Sequence, residues 1–375
     1  METAFCALLV FTIVSAAASI GAARERGMES MKRIVSMVLL FVCLASCLSG
    51  CGPALDTGDR KVIGCIAKGD DSAFWRAVLV GAQDAATDNG YYITFRGPDF
   101  EDPNDLRQQR AMVELALENE VVGLVLSTNG PGFDDLLEEA FNRGLPVVQF
   151  DSGIWPEDLK KLKKQKTYPV VSTVSSYNRE AGAMAAEHMF AAVKKDIPLS
   201  REPYVVGIIQ HDRSQAASDR TAGFIERFHE LGEADPLTAG NYLLVSEVQG
   251  GPAHFAYGRA LENLYQKHAR AVFMTSEGVV NQVLDLMTAT GTKYDQTVFC
   301  GFDAGKRQLG WMRRPGVPKL IGAVTQDAYQ IGYRAVEQCA KAMEARGVPA
   351  FIDIPCIWYD SSNLNEMVSQ SLVEE

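Results

Sequence analysis

The sequence lacks most of the marks by which an enzyme announces itself. Its five histidines, His188, His211, His229, His254 and His268, show no H-E-x-x-H or other metal-ligand spacing. Neither a G-x-S-x-G elbow nor a P-loop occurs, so serine acyl transfer and nucleotide hydrolysis lack their usual frames. Cysteine occurs eight times but never as C-x-x-C, and the four that follow Cys51, namely Cys65, Cys300, Cys339 and Cys356, are far apart in sequence, which signals neither a disulfide framework nor a zinc site. Positive charge is also short. The 36 Lys and Arg stand against 47 Asp and Glu, a formal charge of -11, and such a surface is repelled by phosphate backbones. No catalytic residue, metal, cofactor or nucleic-acid partner is expected.

What is there suits two domains of ordinary size. The chain has 375 residues, 47% of them hydrophobic, too much apolar material for one small core. Residues 1–50 differ in composition from the rest and read as a targeting region. Met31-Lys32-Arg33 precedes the apolar stretch Ile34 to Ala45 and then Leu48-Ser49-Gly50-Cys51. A basic start, a short apolar run and small residues before a processing point make a secretory signal. Leu-Ser-Gly-Cys resembles the lipobox of bacterial lipoproteins, which puts the lipid on Cys51; Leu44-Ala45-Ser46-Cys47 fits the same pattern and stays open. Ala4 to Ala23 is a second apolar run, long enough to span a bilayer. A true start near residues 28–31 accounts for it better than two export signals in tandem.

After a tether at 51–60, short apolar runs alternate with amphipathic ones. Strands are expected at Val62 to Ala67, Tyr92 to Phe95, Gly123 to Ser127, Pro146 to Phe150 and Val170 to Val174. Helices fall between them, and the order starts again at Val205 to Ile209. Such alternation implies an α/β protein with two doubly wound parallel-sheet lobes in series. The lobes echo each other: Gln149-Phe150-Asp151-Ser152-Gly153 and Gly301-Phe302-Asp303-Ala304-Gly305 each end an apolar strand in Phe-Asp-small-Gly. Ligands of open α/β sheets bind outside the carboxyl ends of strands, so Asp151 and Asp303 are expected to face one cleft. The alternative for either Asp alone is a cap on the turn that follows.

Other binding candidates follow from chemistry. Phe74 and Trp75 open the first helix and offer flat apolar faces; one of the two must face the lobe core, so a single stacking ring is expected. Arg220 begins a helix after the second lobe's first strand and can donate two hydrogen bonds at once, or pair with a nearby Asp. Gln326 can donate and accept, or serve as a hinge residue without ligand contact. Cys65 and Cys300 lie within strand patterns and read as small buried hydrophobes. Trp155 and the five lysines from Lys160 to Lys166 read as an inserted surface helix, with Trp155 as a lid, or the lysines on anionic lipid, as the sharper alternatives.

Taken together, Phe74-Trp75, Gly144 to Asp151, Asp219 to Phe224, Cys300 to Asp303 and Val324-Thr325-Gln326 resemble the sugar-binding proteins of ABC importers. These share the periplasmic binding protein type I fold with the ribose- and galactose-binding proteins and LacI-type regulators. The resemblance runs from about Lys61 to Asn363. It implies two lobes, 61–175 with 327–354 and 176–326 with 355–369, joined by three hinge crossings near Ser175, Ala323 and Pro355. It places Phe74 and Trp75 at ring-stacking positions, Asp151, Arg220, Asp303 and Gln326 at polar sugar contacts, and Phe255 at the second lobe's aromatic position. Ser276 and Glu277 stand where the family often has Asn-Asp, and Ser72 where the ribose pattern has Asn, so ribose does not simply carry over. The function implied is extracytoplasmic capture of a monosaccharide or polyol by a lipid-anchored monomer that serves an ABC permease. A sensor subunit for a membrane kinase or chemoreceptor, or a binder of an autoinducer or nucleoside-like ligand, is the alternative. The export signal, with no helix-turn-helix before Lys61, argues against a transcription factor.

Overall fold

A computed structural model of the chain describes residues 61–70, 72–99, 101, 106–248, 256–314 and 319–369. The targeting region, the tether, Cys51 and Phe255 lie outside the described residues.

Two six-stranded sheets form the frame. The first runs in the order β11-β5-β4-β3-β1-β2 and comprises β1 (Val62–Ile66), β2 (Tyr92–Arg96), β3 (Gly123–Leu126), β4 (Val147–Phe150), β5 (Val170–Ser176) and β11 (Phe351–Ile354). All its pairings are parallel. The second, β12-β10-β9-β8-β6-β7, comprises β6 (Tyr204–Gln210), β7 (Tyr242–Val248), β8 (Ala269–Met274), β9 (Val298–Phe302), β10 (Lys319–Gln326) and β12 (Cys356–Tyr359). It repeats the order of the first, except that β12 pairs antiparallel with β10. These are the two doubly wound lobes that the strand and helix alternation implies.

The central strands are apolar throughout because helices cover both faces of a parallel sheet. Every residue of β6 is buried, as is every residue of β3. In the first lobe, α1 (Ala73–Asp88) packs against α10 (Ala328–Met343). In the second, α5 (Asn178–Val193) packs against α6 (Gln215–Ala234). Both pairs approach so closely that glycine is required at the crossing. A Cβ on Gly81 would strike the Tyr329 carbonyl and one on Gly332 the Val78 carbonyl; Gly182 and Gly223 stand in the same relation to Arg220 and Arg179. The repetition therefore extends from sheet order to helix packing. Cys65, Cys300 and Cys339 are buried free thiols, and Cys65 and Cys300 fill the strand cores as small hydrophobes.

The chain passes between sheets three times: from β5 into α5, from β10 into α10, and from β11 through Pro355 to β12. The second passage lies at Gln326–Ala328, since Ala323 is still inside β10. The lysine-rich stretch forms α4 (Pro156–Lys164), an exposed helix with two buried exceptions, Asp158 and Leu162. Trp155 is buried and its Nε1 donates to the Thr128 carbonyl at 3.0 Å. It packs as core, and the lid alternative fails because the indole finds its partner inside the first lobe. Asp158 accepts from the amides of Gly132 and Phe133 at 2.8 and 2.9 Å, ahead of α3 (Asp134–Asn142).

Candidate ligand-binding site

A cavity of about 670 Å³ opens where the carboxyl ends of both sets of strands converge, the position that the topology of open α/β sheets favours. Its volume falls in the range of small-molecule sites. The first lobe contributes the residues that follow β1 to β4, and the second those that follow β6 to β9 together with Gln326, the last residue of β10.

Asp151 and Asp303 both line the cavity. Each has a left-handed backbone, φ 54° and 58°, a conformation that short polar side chains tolerate better than branched ones. The left-handed residue turns the chain out of its strand and leaves the carboxylate at the strand end. Asp303 is buried and heavily engaged. Its Oδ1 accepts from Gln326 Nε2 at 2.7 Å and its Oδ2 from the Glu277 amide at 3.0 Å. Its carbonyl accepts from Tyr359 Oη and Gln308 Nε2. Burial raises its pKa, against the attraction of Arg220. Asp151 is half-buried, and its carboxylate accepts from the Ser152 hydroxyl at 2.8 Å. Capping and cavity lining are thus combined in Asp303, because the Glu277 amide opens α8 (Glu277–Thr290).

Arg220 is buried at the centre of a network instead of in a salt bridge. Its Nε donates to Asn178 Oδ1 at 2.7 Å, one terminal nitrogen to the Thr275 carbonyl and the other to Gln326 Oε1, both at 2.9 Å. The guanidinium lies over the Phe302 ring, 3.9 Å from its centroid, a cation–π contact strengthened by desolvation. Gln326 Oε1 also accepts from Ser176 Oγ at 2.7 Å. Arg220 and Gln326 therefore join the ends of the first two crossings while lining the cavity. Ser276 lines it too and caps α8, its Oγ accepting from the Val279 amide.

Phe74 and Trp75 divide the work that helical spacing predicts for them. Trp75 is 2% exposed, meets Phe150 edge to face at 5.8 Å, and donates from Nε1 to Glu101 Oε1 at 2.8 Å. It belongs to the core of the first lobe, where Phe74 packs partly buried against it. Both touch the cavity, with Phe74 the less enclosed ring. Ser72 starts α1 by accepting from the Trp75 amide.

The sequence reading missed a cluster that ties the lobes together across this cavity. Lys68, just after β1, places Nζ 2.8 Å from Asp212 Oδ2, just after β6, and 3.7 Å from Glu101. Lys68 and Asp212 are both buried. Burial works against both charges, yet Asp212 and Glu101 hold the ammonium above its ordinary pKa. Lys68, together with the Ser214 hydroxyl bond, holds the Asp212 carboxylate below its own. Burial pushes His211 down to about 3, against the pull of Asp212, so it stays neutral. Gln109 fixes the floor of this region: its Nε2 donates to the carbonyls of Ala67 and Ser127, and its Oε1 accepts from the Asn129 amide. The available signal was position, since Lys68 and Asp212 each follow the carboxyl end of a central strand.

Two sheets, three crossings and a strand-end cavity between the lobes define a two-lobed binding protein. The match to the family model of the periplasmic binding protein domain covers residues 63–347, and the chain belongs to that family, one of extracytoplasmic binding proteins and not of enzymes. Among solved structures, the chain is similar to an ABC transporter protein of the LacI transcriptional-regulator family from Brachyspira murdochii. The two are 28% identical, with a TM-score of 0.74 and coverage of 84% of this chain and 99% of that one. A carbohydrate transporter solute-binding protein from Agrobacterium radiobacter, in complex with D-arabinose, is 20% identical with a TM-score of 0.68, covering 84% and 100%. An ABC transporter solute-binding protein from Agrobacterium vitis with bound D-fucose is 21% identical with a TM-score of 0.67, covering 83% and 99%. A search of the curated proteins finds no match.

Proposed function

We propose that the chain captures a monosaccharide or sugar-like polyol between its lobes and delivers it to an ABC permease. It would do so as a monomer held at the membrane by lipid on Cys51. The carrying observation is the cavity itself, which offers a partly open aromatic face at Phe74 beside strand-end carboxylates, an arginine and an amide from both lobes. A sugar ring has C–H faces for the aromatic and hydroxyls for the polar groups. The sugars named for two fold neighbours support the same class. In this reading Phe74 covers the ring, with Trp75 and Phe255 as further aromatic surface. Asp151, Arg220, Ser276, Asp303 and Gln326 take the hydroxyls, and lobes 61–175 with 327–354 and 176–326 with 355–369 rotate about the crossings.

Thermal unfolding of the full-length chain in detergent, against pentoses, hexoses, polyols, nucleosides and amino acids, tests this. A ligand bound by the native state alone raises the melting temperature. A sugar or polyol is expected to do so; a shift by a nucleoside or amino acid with none by any sugar overturns the proposal.

A further inference from the structure

The second lobe's wall carries buried acceptors that have no donor. Glu277 Oε2 and Asn281 Oδ1, one helical turn apart on α8, are both buried, line the cavity and have no hydrogen-bond partner among the described residues. Across the cavity Asn129, 2% exposed, presents Oδ1 in the same condition, its Nδ2 being spent on the Lys68 carbonyl. The cavity's two buried cations already bond protein acceptors: Lys68 holds Asp212, and Arg220 holds Asn178, Thr275 and Gln326. Gln326 Nε2 is taken by Asp303. A buried acceptor left without a donor is costly, so a ligand that fits must bring donors.

Hydroxyls bring one donor each together with two lone pairs that need donors in return. An ammonium brings three donors and no acceptor. Charge points the same way. Glu277 lies beside Asp303, whose Oδ2 its amide holds, and its Oε1 sits against Gly305, where a Cβ would collide with it. A hydrogen bond from the Asn281 side chain and the more distant charge of Arg76 both favour the Glu277 carboxylate. Together they fall short: burial, with Asp303 next, pushes the Glu277 carboxyl up to about 7. A cation brought to Oε2 would supply the missing charge and share its donors with Asn281 Oδ1.

We infer that Glu277 and Asn281 form a subsite for a ligand ammonium, so that the preferred ligand is an amino sugar or an aminated polyol. The inference rests on the sugar-capture reading and makes it more specific. In that sequence window, glutamate supplies a carboxylate on a wall whose remaining cations, Lys306 and Arg307, are exposed.

Calorimetric titration of the full-length chain in detergent at pH 7 tests it with matched pairs. Each of glucosamine, galactosamine and mannosamine is compared with its parent sugar, and 1-amino and 6-amino deoxy sugars and polyols with theirs. At least one amine is expected to bind ten-fold or more tightly than its hydroxyl parent. Glu277→Gln is expected to bring that ratio to about one. Asn281→Leu, which keeps the carboxylate and deletes one acceptor, is expected to lower the ratio by a smaller factor, and it serves alone where the first variant does not fold. Parents that bind as well as or better than every amine overturn the ammonium subsite and leave sugar capture standing. Ratios that survive both substitutions overturn the assignment to α8. No binding by any compound of the panel overturns both readings.

Discussion

Asp151 and Asp303 close equivalent strands in equivalent lobes with nearly the same φ, 54° and 58°, yet their carboxylates are used differently. Asp303 bonds a crossing residue, Gln326, and a helix-opening amide, Glu277. Asp151 bonds the neighbouring Ser152 hydroxyl. The second wall is therefore held by its own residues, with its acid, arginine and amide fixed by one another. The first wall keeps a carboxylate that can turn to meet a ligand. The two lobes present the same backbone at this point, and the surrounding residues make one aspartate a keystone and leave the other bonded to its neighbour.

The comparison breaks most severely at the buried pair that joins the walls. Lys68→Met leaves Asp212 buried without its cation and is expected to destabilise the chain by about 3 kcal/mol. Urea denaturation would show this, and Lys68→Met with Asp212→Asn should recover part of the loss as a coupling energy. Next in size, Asp303→Ala is expected to cost about 2–3 kcal/mol and abolish ligand binding, since it strips acceptors from two donors and a counter-charge from buried Arg220. Asp151→Ala is expected to cost under about 1 kcal/mol while still weakening binding. Equal stability losses for the two aspartates would refute the difference between the walls.

A pH titration sharpens the same contrast. Glu277 titrates near 7 in the folded chain against an ordinary 4.5. Between those values the native state binds more protons than the unfolded one, so stability falls as pH rises through that window, by at most about 3 kcal/mol. Glu277→Gln should remove that contribution to the slope of stability against pH. Trp155→Phe, which loses one buried hydrogen bond, is expected to cost about 1 kcal/mol of stability and to have no effect on ligand affinity, because Trp155 does not line the cavity.

Much of this frame is legible in the sequence because its causes are local. Strand and helix periodicity recovers the element order, and the Phe-Asp-small-Gly echo locates the two strand-end acids without any long-range information. Helical spacing shows that one of Phe74 and Trp75 must face the core, but choosing Trp75 depends on Phe150 and Glu101, which lie outside the helix. The Lys68–Asp212 pair spans 144 positions, and no periodicity connects its members. Asp158 misleads for a related reason: its charge and lysine-rich surroundings read as solvent-facing, whereas it serves the amides ahead of the neighbouring helix. Arg220 reads from sequence as a ligand fork or a salt-bridge partner; its protein partners, Asn178 and Gln326 at the first two crossings and the Thr275 carbonyl after β8, are all distant in sequence.

The pairing of α1 with α10 has a temporal side. The second lobe's helix pair, α5 and α6, lies within one continuous stretch of chain, and its sheet waits for β12 alone among strands from beyond Gln326. The first lobe's pair unites residues 73–88 with 328–343, a loop whose closure is entropically slow. While the chain is being synthesised, the first lobe stays unfinished until residues 328–354 emerge, although its own sequence comes first.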